Sequence, residues 1–245
     1  MELQNKWFTR YLYNFQNGIE DGPKSFIRRL LEPGVVSYAD YPNPDAKPVT
    51  CSLLADGTLT TDKVPLKQGN MALTDDASQS AATLALAPSS PNRLIFALPE
   101  LKAGVHMSGT SRITIRLKSS APAANLSVYL VQLPWGPGRI GNNNLITRGW
   151  ADPQNYKSLT NGGDYHSMEP GVPLKPDQFV TLTFDLQPDD QIIASGKKIA
   201  LMIMSSDHDF TLQPKPGTVL TVDLDGTKIT MPIVGGMDAL NKAIK

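Results

Sequence analysis

Short apolar runs that alternate residue by residue, each closed by Gly or Pro, limit this chain's choice of fold more than any other feature. The stretch from Asn92 to Leu117 shows the pattern in full. Leu94, Phe96 and Leu98 alternate, and Pro99 ends the run because it has no N–H to give to a ladder. A polar turn with Gly104 follows, then the small-residue corner Ser108-Gly109-Thr110. Beyond it Ile113, Ile115 and Leu117 occupy one face, with Arg112, Thr114 and Arg116 on the other. Period two with a polar opposite face is the signature of a half-buried strand in an antiparallel sheet. Such runs recur about every ten residues, which is how sandwiches and barrels are punctuated. Twenty Pro and nineteen Gly among 245 residues supply the punctuation. The expected class is all-β, an antiparallel sandwich of about eight to ten strands.

The front of the chain reads differently. Leu3, Trp7, Tyr11 and Phe15 recur every fourth residue, with Phe8 and Leu12 beside them, as on one face of an amphipathic helix. Asn17-Gly18 stops it, Gly being free to take the left-handed conformation at a helix end. This aromatic face either packs on the sandwich or belongs to a partner domain outside the chain. A first strand is predicted over 25–31 and a Pro-rich connector over 38–48. Asp56-Gly57 marks a hairpin turn. Residues 66–92 read as a surface excursion with one weak strand over 83–86. Strands follow over 125–133, with Leu126, Val128 and Leu130 inward, and over 179–186. The run 199–204 is apolar on both faces, as in a central strand covered on both sides. Two further strands, 219–224 and 229–234, are expected to form a hairpin through Asp225-Gly226, and the last residues a short helix or tail. Residues 134–178 form the longest irregular region, and a loop of that length usually carries function or an interface.

Several chemistries lack their residues. The charges cancel, with 23 basic and 23 acidic side chains and no basic block, which argues against a nucleic-acid surface. No apolar run approaches the roughly 18 residues of a membrane span, and the start of the chain lacks the apolar core of a signal peptide. Cys51 is alone, so no internal disulfide forms. No G-x-S-x-G elbow is present, and H-M-S-G-T lacks its first Gly, so Ser108 reads as a corner residue rather than a nucleophile. His106, His166 and His208 have no metal-ligand spacing, and Asp223, Asp225 and Gly226 read as a turn rather than a calcium loop. No metal, cofactor, nucleic acid or membrane is expected as a partner. Asp207-His208 is expected in a turn with Asx-type bonds. Neighbours on an extended segment point apart, so the two are no ready-made dyad. Trp135, Trp150, Tyr156 and Tyr165 lie in or beside the long loop region. Contact with a neighbouring domain, capping of the core and stacking on sugar are the three readings of these aromatics. The residues alone reach a β-sandwich with a helix at its front.

A resemblance carries the reading further. R-L-I-F-A-L-P-E-L-K-A-G-V-H-M-S-G-T and the alternating strand after it resemble the entry into the C-terminal jelly-roll domain of Xaa-Pro dipeptidyl-peptidases and of acyl hydrolases of the cocaine-esterase kind. K-W-F-T-R-Y-L-Y-N-F-Q-N-G-I resembles the helix that closes that family's hydrolase domain. Y-A-D-Y-P-N-P resembles the connector, and T-R-G-W-A-D a family step. P-L-K-P-D-Q-F-V-T-L-T-F-D-L-Q-P, S-G-K-K-I-A-L-M-I-M-S-S-D-H-D-F and M-P-I-V-G-G follow in the family's order. The resemblance implies a galactose-binding-like jelly-roll β-sandwich over 23–245, preceded by a helix and linker over 1–22 left from an α/β-hydrolase domain. It places the Ser-Asp-His triad of that domain before this chain, so no catalytic residue maps here and the chain alone is not an enzyme. The parent would be a serine hydrolase, a dipeptidyl-peptidase or an esterase. As a dipeptidyl-peptidase it would release N-terminal Xaa-Pro dipeptides through an acyl-serine. The implied partner is the hydrolase domain, whose cleft rim this domain shapes, with homodimer contacts also implied. Trp7, Tyr11, Trp135, Trp150, Tyr165, Asp207 and His208 are the candidate interdomain or rim contacts. A free-standing carbohydrate-binding module is the alternative.

Overall fold

In a computed structural model, residues 2–29, 32–136 and 144–245 are described, and the chain divides into two compact units at Pro44/Asp45. The first unit holds helix α1 (Glu2–Tyr13), one turn of 3-10 helix (Ile19–Asp21), and an antiparallel ribbon of β1 (Ser25–Ile27) and β2 (Val36–Tyr38). The predicted helix is present but ends at Tyr13, where Asn14 takes the left-handed conformation with φ 54°, before the expected stop at Asn17-Gly18. Gly18 turns the chain with φ 70°, and the Asn17 side chain donates to Lys6 O at 2.7 Å. The Arg10 guanidinium donates to Glu20 at 2.9 Å, which ties the 3-10 turn to the helix. Trp7 meets Phe8 edge-on and Tyr11 at a 4.9 Å centroid distance, and no residue of α1 is buried. The strand predicted over 25–31 is confined to Ser25–Ile27, and residues 30 and 31 lie outside the described residues.

The second unit contains β3 (Ala46–Leu53), β4 (Leu59–Thr60), β5 (Asn70–Thr74), helix α2 (Ala81–Leu86), β6 (Arg93–Ala97), β7 (Val105–Gly109), β8 (Arg112–Ser119), β9 (Leu126–Leu133), β10 (Leu145–Ala151), β11 (Val180–Asp185), β12 (Asp189–Ile193), β13 (Lys198–Met204), β14 (Val219–Val234) and helix α3 (Gly236–Ile244). All paired strands are antiparallel. One sheet has the order β10-β9-β13-β6. The larger runs β11-β8-β14-β3-β4, with β5 and β7 also on β14 and β12 on β7. The all-β expectation holds, with more strands than the sequence pattern resolved.

The alternating residues do what their period predicts. Leu94 and Phe96, Ile113, Ile115 and Leu117, and Leu126, Val128 and Leu130 all enter one core between the two sheets. Each large side chain taken fully from water there contributes about 1.5–3 kcal/mol. Asp56-Gly57 makes the predicted hairpin from β3 to β4, with Gly57 at φ 85° and its N–H on Leu54 O at 3.0 Å. Cys51 is wholly buried, and burial pushes its thiol pKa up to about 12.

A second, smaller core covers the outer face of the four-stranded sheet. Ala81, Leu84 and Ala85 of α2 pack there with Tyr129, Val131, Trp135, Ala200, Met202 and Met204. This explains why β13, lying between β9 and β6, is apolar on both faces. It also corrects the reading of residues 83–86 as a strand. The buried positions 81, 84 and 85 follow a helical period, and the Ser80 hydroxyl caps the helix by accepting from Thr83 N at 3.2 Å. The excursion read over 66–92 likewise contains β5, which pairs with β14.

The second correction concerns Asp225-Gly226. They do not turn a hairpin. Residues on both sides of them pair with β8 in one direction, Leu220–Asp223 opposite Ser119–Arg116 and Lys228–Thr230 opposite Thr114–Arg112. The dipeptide sits in a bulge of one continuous strand. The bulge resets parity: Leu224 is the last buried residue of one series, and Thr227, Ile229, Met231 and Ile233 form the next. Gly226 is required there, since a Cβ would lie 2.8 Å from Arg116 Cβ. Asp223 Oδ1 accepts from Asp225 N at 3.1 Å, and the Asp225 carboxylate accepts from Gln68 N and Gly69 N at 2.9 and 3.0 Å. Those backbone N–H bonds hold the Asp225 carboxyl below its ordinary pKa.

Leu201→Ala is expected to lower unfolding stability in urea by about 2–5 kcal/mol, because the site is sealed within the shared core. Asp225→Asn is expected to lower stability near neutral pH. The carboxylate's stabilisation is fully present above the ordinary aspartate pKa and is lost as pH falls through its lowered folded value. The gap between wild type and variant in a denaturation series should therefore close toward acid, and a gap independent of pH would refute the assignment.

Candidate functional site

Three residue types of a hydrolytic triad do meet on β7 and β12, but not in working order. His106 Nε2 lies 3.1 Å from Asp190 Oδ1, and Ser108 pairs opposite Asp190. Ser108 has no exposed surface, and a nucleophile needs to reach substrate. Among the described residues, no group of three or more His, Cys, Asp or Glu is placed to hold a metal ion. Among the same residues, no helix is long and apolar enough to cross a membrane.

The richest arrangement lies on the outer face of the four-stranded sheet. A bulge in β10 creates it. Leu145 pairs with Val131 and Thr147 with Leu130, so Ile146 is an extra residue, and it enters the main core. From there parity is reversed. Arg148 comes opposite Tyr129 and Trp150 opposite Ser127, both on the outer face, while Gly149 faces inward. A Cβ on Gly149 would lie 2.8 Å from Leu186 Cδ2.

Asp207, in the loop that follows β13, organises this face. Its carboxylate is fully buried, and Oδ2 accepts from the Tyr129 hydroxyl and from Trp150 Nε1 at 3.3 Å. Its backbone carbonyl accepts from Phe210 N and Thr211 N at 3.1 and 2.9 Å, and its N–H donates to Thr211 Oγ1 at 2.8 Å. The loop 205–212 is thereby curled so that Phe210 lies over the sheet. Trp150 meets Phe210 at 5.3 Å and Tyr129 edge-on at 6.3 Å. The Arg148 guanidinium sits inside this frame, 3.9 Å from the Phe210 centroid, 5.0 Å from Trp150 and 5.7 Å from Tyr129. Its Nη1 donates to the Tyr129 hydroxyl at 3.4 Å. Burial first, and then the bond to Asp207, push the Tyr129 phenol well above its usual pKa. Arg148 acts in the opposite sense. The Tyr129 hydroxyl thus lies between the Arg148 guanidinium and the Asp207 carboxylate, bonded to both.

Residues 17–239 match the profile of the family described as the X-Pro dipeptidyl-peptidase C-terminal non-catalytic domain. The chain belongs to that family. This C-terminal domain is similar to a Rhodopirellula baltica protein whose name proposes it as an Xaa-Pro dipeptidyl-peptidase, at 46% identity over 96% of this chain. A Bacillus anthracis protein of the same name is 32% identical over 94% of it. The chain spans 37% and 36% of the lengths of those relatives. In fold it is similar to a CocE/NonD family hydrolase from Staphylococcus aureus (TM-score 0.66, 16% identity, 95% of this chain and 45% of that one). It is likewise similar to an α-amino acid ester hydrolase (TM-score 0.66, 15% identity, 94% and 44%).

On this C-terminal domain the sequence-selected residues fall in separate places. Trp150 and Asp207 meet directly. His208 is exposed on the same loop, its Nδ1 donating to Ala77 O at 2.9 Å. Trp135 is buried in the second core, and its Nε1 has no hydrogen-bond partner among the described residues. Part of the loop after it, 137–143, lies outside the described residues. Tyr165 packs, half-buried, on the main core. Trp7 and Tyr11 belong to the first unit. Tyr129, Arg148 and Phe210 were not singled out from sequence. Tyr129 reads as one more residue of a β-run, and only the β10 bulge puts Arg148 beside it.

Asp207→Ala is expected to cost about 2–4 kcal/mol in urea unfolding, since it leaves the Tyr129 hydroxyl and Trp150 indole N–H without their buried acceptor. Near-ultraviolet circular dichroism should lose the signal of the immobilised Trp150. An unchanged spectrum and unfolding midpoint would refute the organising role.

Proposed function

We propose that this chain is the supporting part of a serine hydrolase that releases N-terminal Xaa-Pro dipeptides. Its β-sandwich is of the galactose-binding-like jelly-roll kind. It packs on an α/β-hydrolase domain and shapes the rim of that domain's cleft, with homodimer contacts as a further role. The observation that carries this reading is the family match over 17–239, in a chain that covers little more than a third of its similar relatives. The acylation and deacylation of substrate belong to the other domain. The Ser108 hydroxyl, on the residue that pairs opposite Asp190 of the His106–Asp190 contact, is fully buried.

Two features support a role in contact. The first unit presents a groove of about 250 Å³ lined by Leu3, Trp7, Tyr11, Ile19 and Phe26, with half-exposed aromatic rings. A solvent-facing helix rarely carries so many large apolar groups unless another surface covers them. The second unit presents the Arg148 frame. The carbohydrate-binding alternative has less support, because Trp135 is buried and the Trp150 indole N–H is committed to Asp207.

The test uses glycyl-prolyl-p-nitroanilide. The chain alone is expected to release no nitroaniline, and the parent polypeptide to release it with sensitivity to a serine-directed fluorophosphonate. Turnover by the chain alone, or a parent that releases no Xaa-Pro dipeptide, would overturn the proposal.

A further inference from the structure

Arg148 is the most unusual charge of the second unit. Its guanidinium has five N–H donors, and among the described residues the one side-chain acceptor it meets is the Tyr129 hydroxyl. The Nε–H is buried, with no hydrogen-bond partner among the described residues. Among the same residues no carboxylate forms an ion pair with it, although Arg10, Arg29, Arg112 and Arg116 each have one. Asp207 is close but already committed to Tyr129 and Trp150. Leaving a buried donor unsatisfied costs about 1–3 kcal/mol, and more for a charged group. A fold that builds three rings and a buried carboxylate around such a cation therefore holds it ready for an acceptor that arrives from outside.

The surroundings describe that acceptor. Arg148 lies at the centre, framed by Tyr129, Trp150 and Phe210, the residue types that dominate the energy of protein interfaces. Phe210 is 50% exposed and Leu212 on the same loop 82% exposed, which supplies an apolar border. A guanidinium stacked on a ring is pre-oriented, and it is weakly hydrated, so it gives up water at little cost and pairs well with a planar carboxylate. The chain spans 37% of the relative at 46% identity, and the matching family is by description a C-terminal non-catalytic domain. The larger part of such a polypeptide, its catalytic part, thus lies on the N-terminal side, tethered and at high effective concentration.

We propose that the outer face of β9, β10 and β13, with the loop 205–212, is the surface on which the preceding catalytic domain of the same polypeptide docks, through an Asp or Glu carboxylate received by Arg148. This rests on the function proposed above. Asp207 is a positioning residue here. By holding Tyr129 and Trp150 it fixes the rings that fix the guanidinium. The β10 bulge is part of the device, since without it Arg148 would point into the core.

The decisive measurement is modification of arginine by phenylglyoxal, read residue by residue by mass spectrometry, in this chain and in the parent polypeptide. Arg148 is expected to react in this chain and to react at least about tenfold more slowly in the parent, the factor that about 1.4 kcal/mol of docking would give. Arg112, on the other sheet and paired with Asp185, is the internal reference and should react alike in both. In the parent, Arg148→Glu is expected to split a single thermal unfolding transition into two and to open the interdomain linker to protease, and Arg148→Lys to do so less. Equal reactivity of Arg148 in the two proteins would overturn the proposal, whatever the variants do. Protection of Arg148 in this chain that grows with its concentration would also overturn it, in favour of a second copy as occupant. Hydrolysis of glycyl-prolyl-p-nitroanilide by the same parent preparation separates the two claims. An active parent with reactive Arg148 sinks the docking surface alone, and a parent without that activity sinks both.

Discussion

Backbone pairing along β14 is the constraint on which the second unit depends. This strand pairs with β3, β5, β7 and β8, so both of its edges are occupied and four neighbours take their register from it. A strand that long cannot keep one alternation while the sheet twists around a closed core. The bulge at 224–227 resolves the conflict by letting the buried series change from even to odd numbers. Its backbone needs partners, and Asp223 and Asp225 supply acceptors where ladder bonds are missing. Side chains that look like a cation site or a hairpin turn in the sequence are thus the fastening of a bulge.

The same logic explains what could be read from residues and what could not. Alternation is a local property. It located Leu94 and Phe96, Ile113 to Leu117, and Leu126 to Leu130 correctly, and the apolar run in β13 announced a strand covered on both sides. Asp-Gly is local too, but its two instances differ. At Asp56-Gly57 the flanking strands pair with each other. At Asp225-Gly226 both flanks pair with β8, a partner more than a hundred residues away in sequence, and nothing local distinguishes the cases. Helix α2 is hidden in the sequence for another reason. A six-residue apolar segment is too short for its period to be read with certainty, and the Ser80 cap decided it. The aromatic frame was half legible. Trp150 and Asp207 were selected for composition and position, whereas Arg148, Tyr129 and Phe210 come together through a bulge and a loop closure that depend on tertiary contacts.

The four-stranded sheet shows a division of labour between its faces. The inner face is mostly aliphatic and aromatic, and those side chains need only shape. The outer face is mixed. At one end α2 lays alanines and a leucine over Met202 and Met204, small and adaptable groups that let a short helix approach closely. At the other end the sheet carries charge, aromatic rings and a buried carboxylate, whose geometry is directional and whose partners must all be in place. The first face holds the fold together. The second carries the docking proposed above.

Gly149 joins these two faces. It lies between Arg148 and Trp150 in sequence, yet it points away from both, into a space that Leu186 leaves too narrow for a methyl group. The chemistry of the exposed patch therefore answers to a residue that has no surface. Exchanging the exposed Leu212 would only retune the border of the patch. Exchanging this glycine would push β10 away from β11, turning both outer side chains at once. The patch thus depends as a unit on Gly149, a residue that a survey of the surface would pass over.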